Sequence, residues 1–431
     1  MTAHATHRAI EAVWRIESAR IIAGVARLVR DVGLAEELAQ DALVAALEHW
    51  PRDGLPDNPG AWLMATAKHR ALDRLRQLSM QQRKHEELGA DADALGAHVT
   101  PDFVDALDAA RQDDIGDDLL KLIFTACHPV LPTEARVALT LRLLGGLSTA
   151  EIARAFLTSE PTVAQRIVRA KRALTAARVP FEVPAADARA ERLDSVFDVL
   201  YLIYNEGYAA TAGDDWMRPA LCDEAIRLAR VLAGLVPNES EAHGLSALME
   251  LQSSRAHARI DTNGHPVLLR DQDRSRWDPL LIRRGLAALA RAEALADAGA
   301  GWGPYALQAA IAACHARATR SGDTDWQRIV QLYDALLEAA PSPVVALNRA
   351  VAVGMASGPA AAWPLVEALA SQPAMAAYPW FYSAQGELLA QMGRRAQARA
   401  AFEHAASLTR NGRDRAVLLA RAEDLSDPYI Q

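Results

Sequence analysis

Cysteine is scarce: Cys127, Cys222 and Cys314 are spread over 431 positions. An odd, widely spaced set gives neither a disulfide framework nor a zinc cluster. Cys127-His128 and Cys314-His315 are tempting ligand pairs. No CxxC or HxxxH partner accompanies them, so both read as buried cysteines beside a histidine, and no metal or cofactor is expected. Also missing is any apolar run approaching the roughly 18 to 20 residues that span a bilayer. Met1 to Trp14 carries His, Arg and Glu where a secretory signal needs an apolar core. The sequence therefore predicts a cytoplasmic protein with no membrane partner. Alternating β-branched runs are hard to find, while Ala and Leu dominate a 51% hydrophobic content. This predicts an all-α chain, long enough for two or three domains.

The formal charge of −8 hides strong local asymmetry. Residues 81–118 hold eleven Asp or Glu against three Lys or Arg, whereas residues 119–180 hold nine Lys or Arg against three Asp or Glu. An electrostatic footprint belongs to one face, so the average does not argue against nucleic acid. The layout reads as two small nucleic-acid-facing helical modules, residues 1–80 and 119–180, joined by an acidic, flexible linker at 81–118. A long helical extension, 181–431, follows. Within the linker, Glu86 to Asp118 lacks helical periodicity.

Residues 8–50 read as two helices broken near Asp31 to Leu34. In the second, Leu38, Ala42, Ala45 and Trp50 form a buried stripe, and Glu37, Gln40, Asp41, Val44 and Glu48 form the opposite face. That face is either solvated or a docking surface for a basic helix. Pro51 to Gly60 is dense in Pro, Gly, Asn and Asp and reads as a loop, with Asn58 or Gly60 starting the next helix. On that helix Met64, Ala67, Ala71 and Leu75 share one side, and Trp62, Thr66, His69, Arg70, Asp73 and Arg76 the other. An aromatic among basic residues suits stacking on an unpaired base with Arg holding phosphates. Packing of Trp62 against the preceding loop is the competing reading.

Beyond the linker, helices are predicted from Leu119 and from Thr133 to Leu144. Ser148-Thr149-Ala150-Glu151 is a capping box that starts another, which ends near Phe156. After a turn at Leu157 to Ser159, Pro161 is acceptable in the first turn of a second helix, because its missing N–H has no intrahelical partner there. The pair is a helix-turn-helix. In the second helix Val163, Ile167, Ala170 and Leu174 point inward. Thr162, Gln165, Arg166, Arg169 and Arg172 point outward with Lys171 flanking, and no acid interrupts residues 161–178. Gln and Arg pair bidentately with adenine and guanine edges in the major groove.

In the extension, Gly386, Gly393, Ala398, Phe402 and Ala405 fall at the spacing of a tetratricopeptide-like helix pair. Arg270 to Asp278 is a polar cluster. Asp271 and Asp273 suggest metal or acid/base chemistry, but the interleaved Arg270, Arg274 and Arg276, next to Trp277, argue for charges that neutralise one another in a structural or regulatory buttress. No nucleophile-base pairing or phosphate-cradling Gly loop appears, so no catalytic residues and no enzyme activity are expected.

In this order these elements resemble the extracytoplasmic-function sigma factors of bacterial RNA polymerase, specifically the subgroup with a long tetratricopeptide-like C-terminal extension. The resemblance covers essentially the whole chain. In the first module it is carried by Ala35 to Leu43 (AEELAQDAL), Pro59 to Leu63 (PGAWL) and Arg70 to Arg76 (RALDRLR). In the second it is carried by Gly146 to Ala153 (GLSTAEIA) and Arg166 to Arg172 (RIVRAKR). Leu200 to Tyr208, Asp271 to Trp277, Thr324 to Trp326 and Leu347 to Val351 carry it in the extension.

The resemblance implies that Glu37, Leu38, Gln40, Asp41 and Val44 bind core RNA polymerase. It implies that Asn58, Trp62, Thr66, Lys68, His69, Arg70, Asp73 and Arg76 capture the melted −10 non-template strand. Thr162, Gln165, Arg166, Arg169, Lys171 and Arg172 would read the −35 promoter duplex. The linker would thread the RNA exit path, and the extension would be regulatory, its groove open to a protein or peptide partner. His69 stands where the family commonly has Asn, and Gln77 follows Arg76 where a second Arg is frequent. Both departures bear on the −10 preference. A one-component helix-turn-helix regulator with a peptide-sensing extension is the competing function, but it has no use for the Glu36 to Leu43 surface or a strand-capturing helix.

Overall fold

The structure, a computed structural model, describes residues 3–88, 115–156, 158–209, 217–261 and 266–425. Among them there is no strand, only an isolated bridge between Ile260 and Pro266, so the all-α expectation is met. The chain divides into two compact units, residues 1–200 and 201–431.

The first unit begins with α1 (Ala3–Val29), α2 (Val32–Asp53) and α3 (Pro59–Leu88). Arg30, at φ +53°, breaks α1 from α2, and the Asp31 side chain then caps α2 by accepting from the Leu34 N–H at 2.9 Å. The left-handed conformation costs about 1–2 kcal/mol at a non-glycine residue, and the cap returns about 1 kcal/mol. Larger apolar burial fixes the arrangement: Ile21, Ile22, Val25 and Leu28 of α1 are buried, as are Ala35, Leu38, Ala42 and Trp50 of α2 and Leu63, Ala67 and Ala71 of α3. Alanine at the centre of α2 and α3 lets the helix axes approach closely.

Two expected irregular segments are shorter than the sequence suggests. The loop expected at Pro51 to Gly60 loses its first residues to α2, which runs through Pro51 to Asp53. Pro51 lacks the N–H that would reach Leu47 O, and the helix stops soon after it, where Gly54, at φ +91°, donates its N–H to Trp50 O. The non-periodic segment expected from Glu86 to Asp118 is helical at both ends: α3 extends to Leu88 and α4 (Ile115–Ala126) starts before Asp118. Residues 89–114 of that linker lie outside the described residues. Asp117 and Asp118 are first-turn acids of α4, favoured by the helix dipole. Asp118 is buried with Arg27 of α1 at 3.2 Å. Burial pushes its carboxyl above the usual range, against the pull of Arg27 and Lys121.

Next come α5 (Thr133–Leu143), α6 (Thr149–Ala155) and α7 (Glu160–Ala176). The Ser148 capping box forms: Ser148 N–H donates to Glu151 Oε2 at 2.8 Å, and Glu151 N–H to Ser148 Oγ at 3.2 Å. Ser159 caps α7, with Pro161 in its first turn. The buried residues of α7 are Val163, Ile167, Ala170 and Leu174, the four that the spacing assigns inward. The start of α8 (Ala186–Tyr208) serves this unit by capping α4, where Arg192 donates to Phe124 O at 2.7 Å and Ser195 Oγ to Cys127 O at 2.6 Å.

The second unit is a succession of helices: α9 (Pro219–Leu235), α10 (Ser240–Ser253), α11 (Pro279–Leu295), α12 (Pro304–Arg317), α13 (Trp326–Ala339), α14 (Pro343–Ser357), α15 (Pro359–Leu369), the short α16 (Pro373–Ala376), α17 (Pro379–Gln391), α18 (Arg395–Leu408) and α19 (Gly412–Asp424). Proline opens most of them because its fixed φ suits a first turn that has no use for its N–H. The core passes from Leu248, Leu289, Leu307, Ile311 and Leu332 to Leu347, Val366, Phe381 and Leu388, and then to Phe402 and Leu418. In the expected tetratricopeptide-like pair, α17 turns into α18 through Gly393 at φ +76°, and a Cβ on Gly386 would lie 3.0 Å from the Phe402 ring.

The tightest such approach between helix backbones joins α10 to α12, where a Cβ on Gly244 would sit 2.6 Å from Ala306 N. At an open helical site, alanine for glycine gains about 1 kcal/mol. Here overpacking of about 1–3 kcal/mol opposes that gain, and we expect Gly244→Ala to lower the melting temperature of the extension. Calorimetry checks this; an unchanged or raised melting temperature would show that the two helices part without cost.

Candidate nucleic-acid interface

The second helix of the helix-turn-helix is held by its buried stripe, so its other side is presented rigidly. Thr162, Gln165, Arg169 and Arg172 are exposed and Arg166 is half-buried. Thr162 also shares a hydrogen bond with the capping Ser159 hydroxyl at 2.7 Å. Lys171 stands apart from this set. It lies four residues after Ile167 and three before Leu174, on the edge of the inward stripe, and it forms an ion pair with Glu36 of α2.

Glu36 is buried and central. Its Oε1 accepts from Arg142 Nε and from Gln40 Nε2, both at 2.7 Å, while Lys171 meets Oε2. Further contacts join the same two modules: Thr175 Oγ1 donates to Asp31 Oδ2 at 3.0 Å, and Arg15 lies 3.1 Å from Glu151. Burial acts to raise the Glu151 carboxyl, but the Ser148 hydrogen bonds, Arg15 and Arg154 hold it below its ordinary range.

On α2, Glu37, Asp41 and Val44 are exposed, Val44 at 51%. Gln40 is half-buried through its bond to Glu36, and Leu38 is buried, supporting the face from beneath. On α3, Asn58 is the cap, its Oδ1 accepting from Ala61 N–H at 3.0 Å. Trp62 is half-buried and meets Trp50 edge-on, with ring centroids 5.4 Å apart. It thus packs on α2 and leaves part of its surface open. Thr66 donates back to Trp62 O at 2.8 Å, and Lys68 is half-buried. His69, Arg70, Asp73 and Arg76 are exposed, with Arg76 3.1 Å from Asp73. Arg70 lies 3.4 Å from Asp41, bringing together residues expected to serve two different partners.

In the extension the polar cluster is built differently from the expected mutual neutralisation. Arg274 donates to His315 O, to Ala318 O at 2.8 Å and to Thr324 Oγ1 at 3.1 Å, so it caps the C-terminal end of α12. It also lies over the buried Trp277 ring. Asp273 caps its own turn by accepting from Ser275 N–H at 3.0 Å, and Arg276 reaches Ile260 O at 3.4 Å. Asp271 is 3.6 Å from Arg270, whose stronger partner is Glu387 at 2.6 Å. Burial, followed by Arg255 and Arg274, lowers His315 to about 4, leaving its ring neutral near pH 7. Burial likewise raises the Cys127 thiol to about 11 and lowers His128 to about 4.

No spacing rule pairs Glu36 with Arg142; the sequence signal is an acid on the edge of the α2 buried stripe, next to Ala35 and Ala39. No helix among the described residues is long and apolar enough to cross a membrane.

Comparison with known proteins places these elements. Residues 16–80 match Sigma-70 region 2, residues 121–174 match Sigma-70 region 4, and residues 192–293 match a family of unknown function. An uncharacterised protein of Rhizobium meliloti is 44% identical over 401 residues, 93% of this chain and 92% of its own length. The ECF RNA polymerase sigma factor SigC of Mycobacterium tuberculosis is 30% identical over 173 residues, 40% of this chain and 85% of its own. SigK of Mycobacterium ulcerans is 30% identical over 159 residues, 36% of this chain and 78% of its own. No solved structure matches significantly.

Proposed function

Because the chain belongs to the ECF sigma factors of RNA polymerase, acting in transcription initiation with core polymerase and promoter DNA, we propose a division of labour among its helices. Helix α7 reads the −35 duplex through Gln165, Arg166 and Arg169, with Thr162 and Arg172 on flanking phosphates. Helix α3 and its capping Asn58 hold the melted −10 strand, with His69 and the open part of Trp62 toward bases and Arg70 and Arg76 toward phosphates. The exposed Glu37, Asp41 and Val44 of α2 dock on core polymerase. The extension is regulatory, and the protein works in the cytoplasm.

The observation that most supports this reading is the two-sidedness of α7. One side is buried along its whole length, and the other carries Gln and Arg with no acid from 161 to 178. A rigid helix with that surface suits direct readout in the major groove. The competing one-component regulator leaves the region 2 match at 16–80 without a role.

Arg76→Gln separates phosphate from base contacts on α3. We expect weaker binding to templates pre-melted at the −10 element, with the salt slope reduced by about 0.7 for one lost single-strand phosphate contact. Binding titrations of the variant with core polymerase at several salt concentrations measure it. An unchanged slope would remove Arg76 from the phosphate path.

A further inference from the structure

Four exposed apolar side chains of the extension share one place. Leu268, Val351, Met355 and Trp380 are 38–43% exposed, and all four line a single cavity of about 330 Å³ with Trp326 beneath. Solvent-exposed tryptophan and methionine grouped around a depression mark a binding surface more often than a solvated one.

Charge surrounds this apolar floor unequally. Arg270, Arg274 and Arg421 line the cavity against a single acid, Glu387. With Asp271 included, 3.6 Å from Arg270, the rim still carries a net positive charge. Glu387 receives Arg270 at 2.6 Å on one oxygen and Arg421 on the other, which fixes both guanidinium groups at the edge of the cavity. Burial acts to raise the Glu387 carboxyl, but hydrogen bonds from Arg270, Arg421 and Gln391 outweigh it and hold the group at about 2. The rim charges are therefore fixed through the neutral range. Each guanidinium has five N–H donors, more than Glu387 uses, and prior orientation lowers the entropy cost of engaging a further acid.

We propose that this cavity seats one bulky apolar side chain of an acidic segment in a partner protein, with Arg270 and Arg421 engaging the acids beside it. The volume suits a single anchor residue rather than a helix, and Trp and Arg are enriched among the residues that dominate binding at protein interfaces, with Met enriched in the interface as a whole. The proposal deepens the regulatory reading of the extension and rests on it only for its consequence; binding is measured without transcription.

The test is selection of a random dodecapeptide library displayed on phage against the immobilised full chain. The expected result is a family of sequences with an aromatic, leucine or methionine next to Asp or Glu. Synthetic peptides of that family should bind Met355→Glu at least about tenfold more weakly, from the lost apolar burial, and Arg270→Gln several-fold more weakly. Both residues are over 40% exposed, and circular dichroism checks that each variant remains folded. Three outcomes overturn the proposal: no sequence family emerges, the family is basic, or it binds folded Met355→Glu as tightly as the native chain. If peptides bind as expected yet leave transcription unchanged, the site stands and the regulatory reading falls.

Discussion

A chain in which Gln165, Arg166 and Arg169 are all alanine is expected to bind a promoter duplex, as holoenzyme, with no preference for the native upstream element over a scrambled one. Each good bidentate contact to a base is worth roughly 1–3 kcal/mol of discrimination, so losing three removes about 3–9 kcal/mol, the scale of a whole specificity ratio. The helix itself should survive. Its buried residues Val163, Ile167, Ala170 and Leu174 are untouched, its cap at Ser159 is unchanged, and alanine is the better helix former. Thr162 and Arg172 remain for phosphates, so non-specific binding should persist with a reduced salt dependence. Competition binding of native and scrambled promoters by the variant and native holoenzymes makes the measurement. An equal loss on both duplexes would reduce α7 to a phosphate contact and remove its reading role.

Glu36→Ala is expected to separate the two modules of the first unit. The carboxylate serves Gln40, Arg142 and Lys171 together, so its removal strands two cations at a largely closed contact. Breaking a fully buried pair by removing one partner costs about 3–5 kcal/mol. Arg142 and Lys171 keep 25% and 20% side-chain exposure and can turn toward water, which places the expected loss at or below the lower end of that range. The same change releases Lys171 from α2, and its ammonium becomes available to DNA phosphate. Hydrogen exchange should show faster opening along α7 and the adjoining start of α2, with denaturant midpoints lowered. Unchanged exchange and stability would mean that the modules are joined without Glu36, by the packing of α4 on α1 and by the Arg27–Asp118, Thr175–Asp31 and Arg15–Glu151 contacts.

The parts of this protein legible in the sequence are those governed by local rules. The inward stripe of α7 follows from helical period, and the start of α6 from a four-residue capping box whose two bonds are both present. The α1–α2 break falls at the start of the Asp31 to Leu34 span read from the sequence, where the Asp31 side chain caps α2. Contacts across long chain separations left no such trace. Glu36 meets Arg142 and Lys171, residues that no spacing rule connects to it, and Trp62 finds Trp50 rather than the loop before it. At Arg270 to Trp277 the sequence suggested acids and bases cancelling one another. Orphan carbonyls at the half-buried end of α12 recruit Arg274 instead, because the last turn has no intrahelical donors for them. The helical ends of the linker are not legible for the converse reason: a segment rich in acids lacks an apolar stripe, yet Asp117 and Asp118 suit the first turn of α4 and Asp118 has Arg27 to meet.

Run-off transcription with purified core RNA polymerase tests the sigma-factor function most directly. Templates would be taken from sequences that the holoenzyme itself retains. The expected result is a transcript of defined start that requires the chain, requires the upstream and −10 elements, and disappears with the Gln165, Arg166 and Arg169 triple variant. Tight binding of the chain to the same DNA without core polymerase, together with no promoter-dependent transcript when polymerase is added, would contradict it.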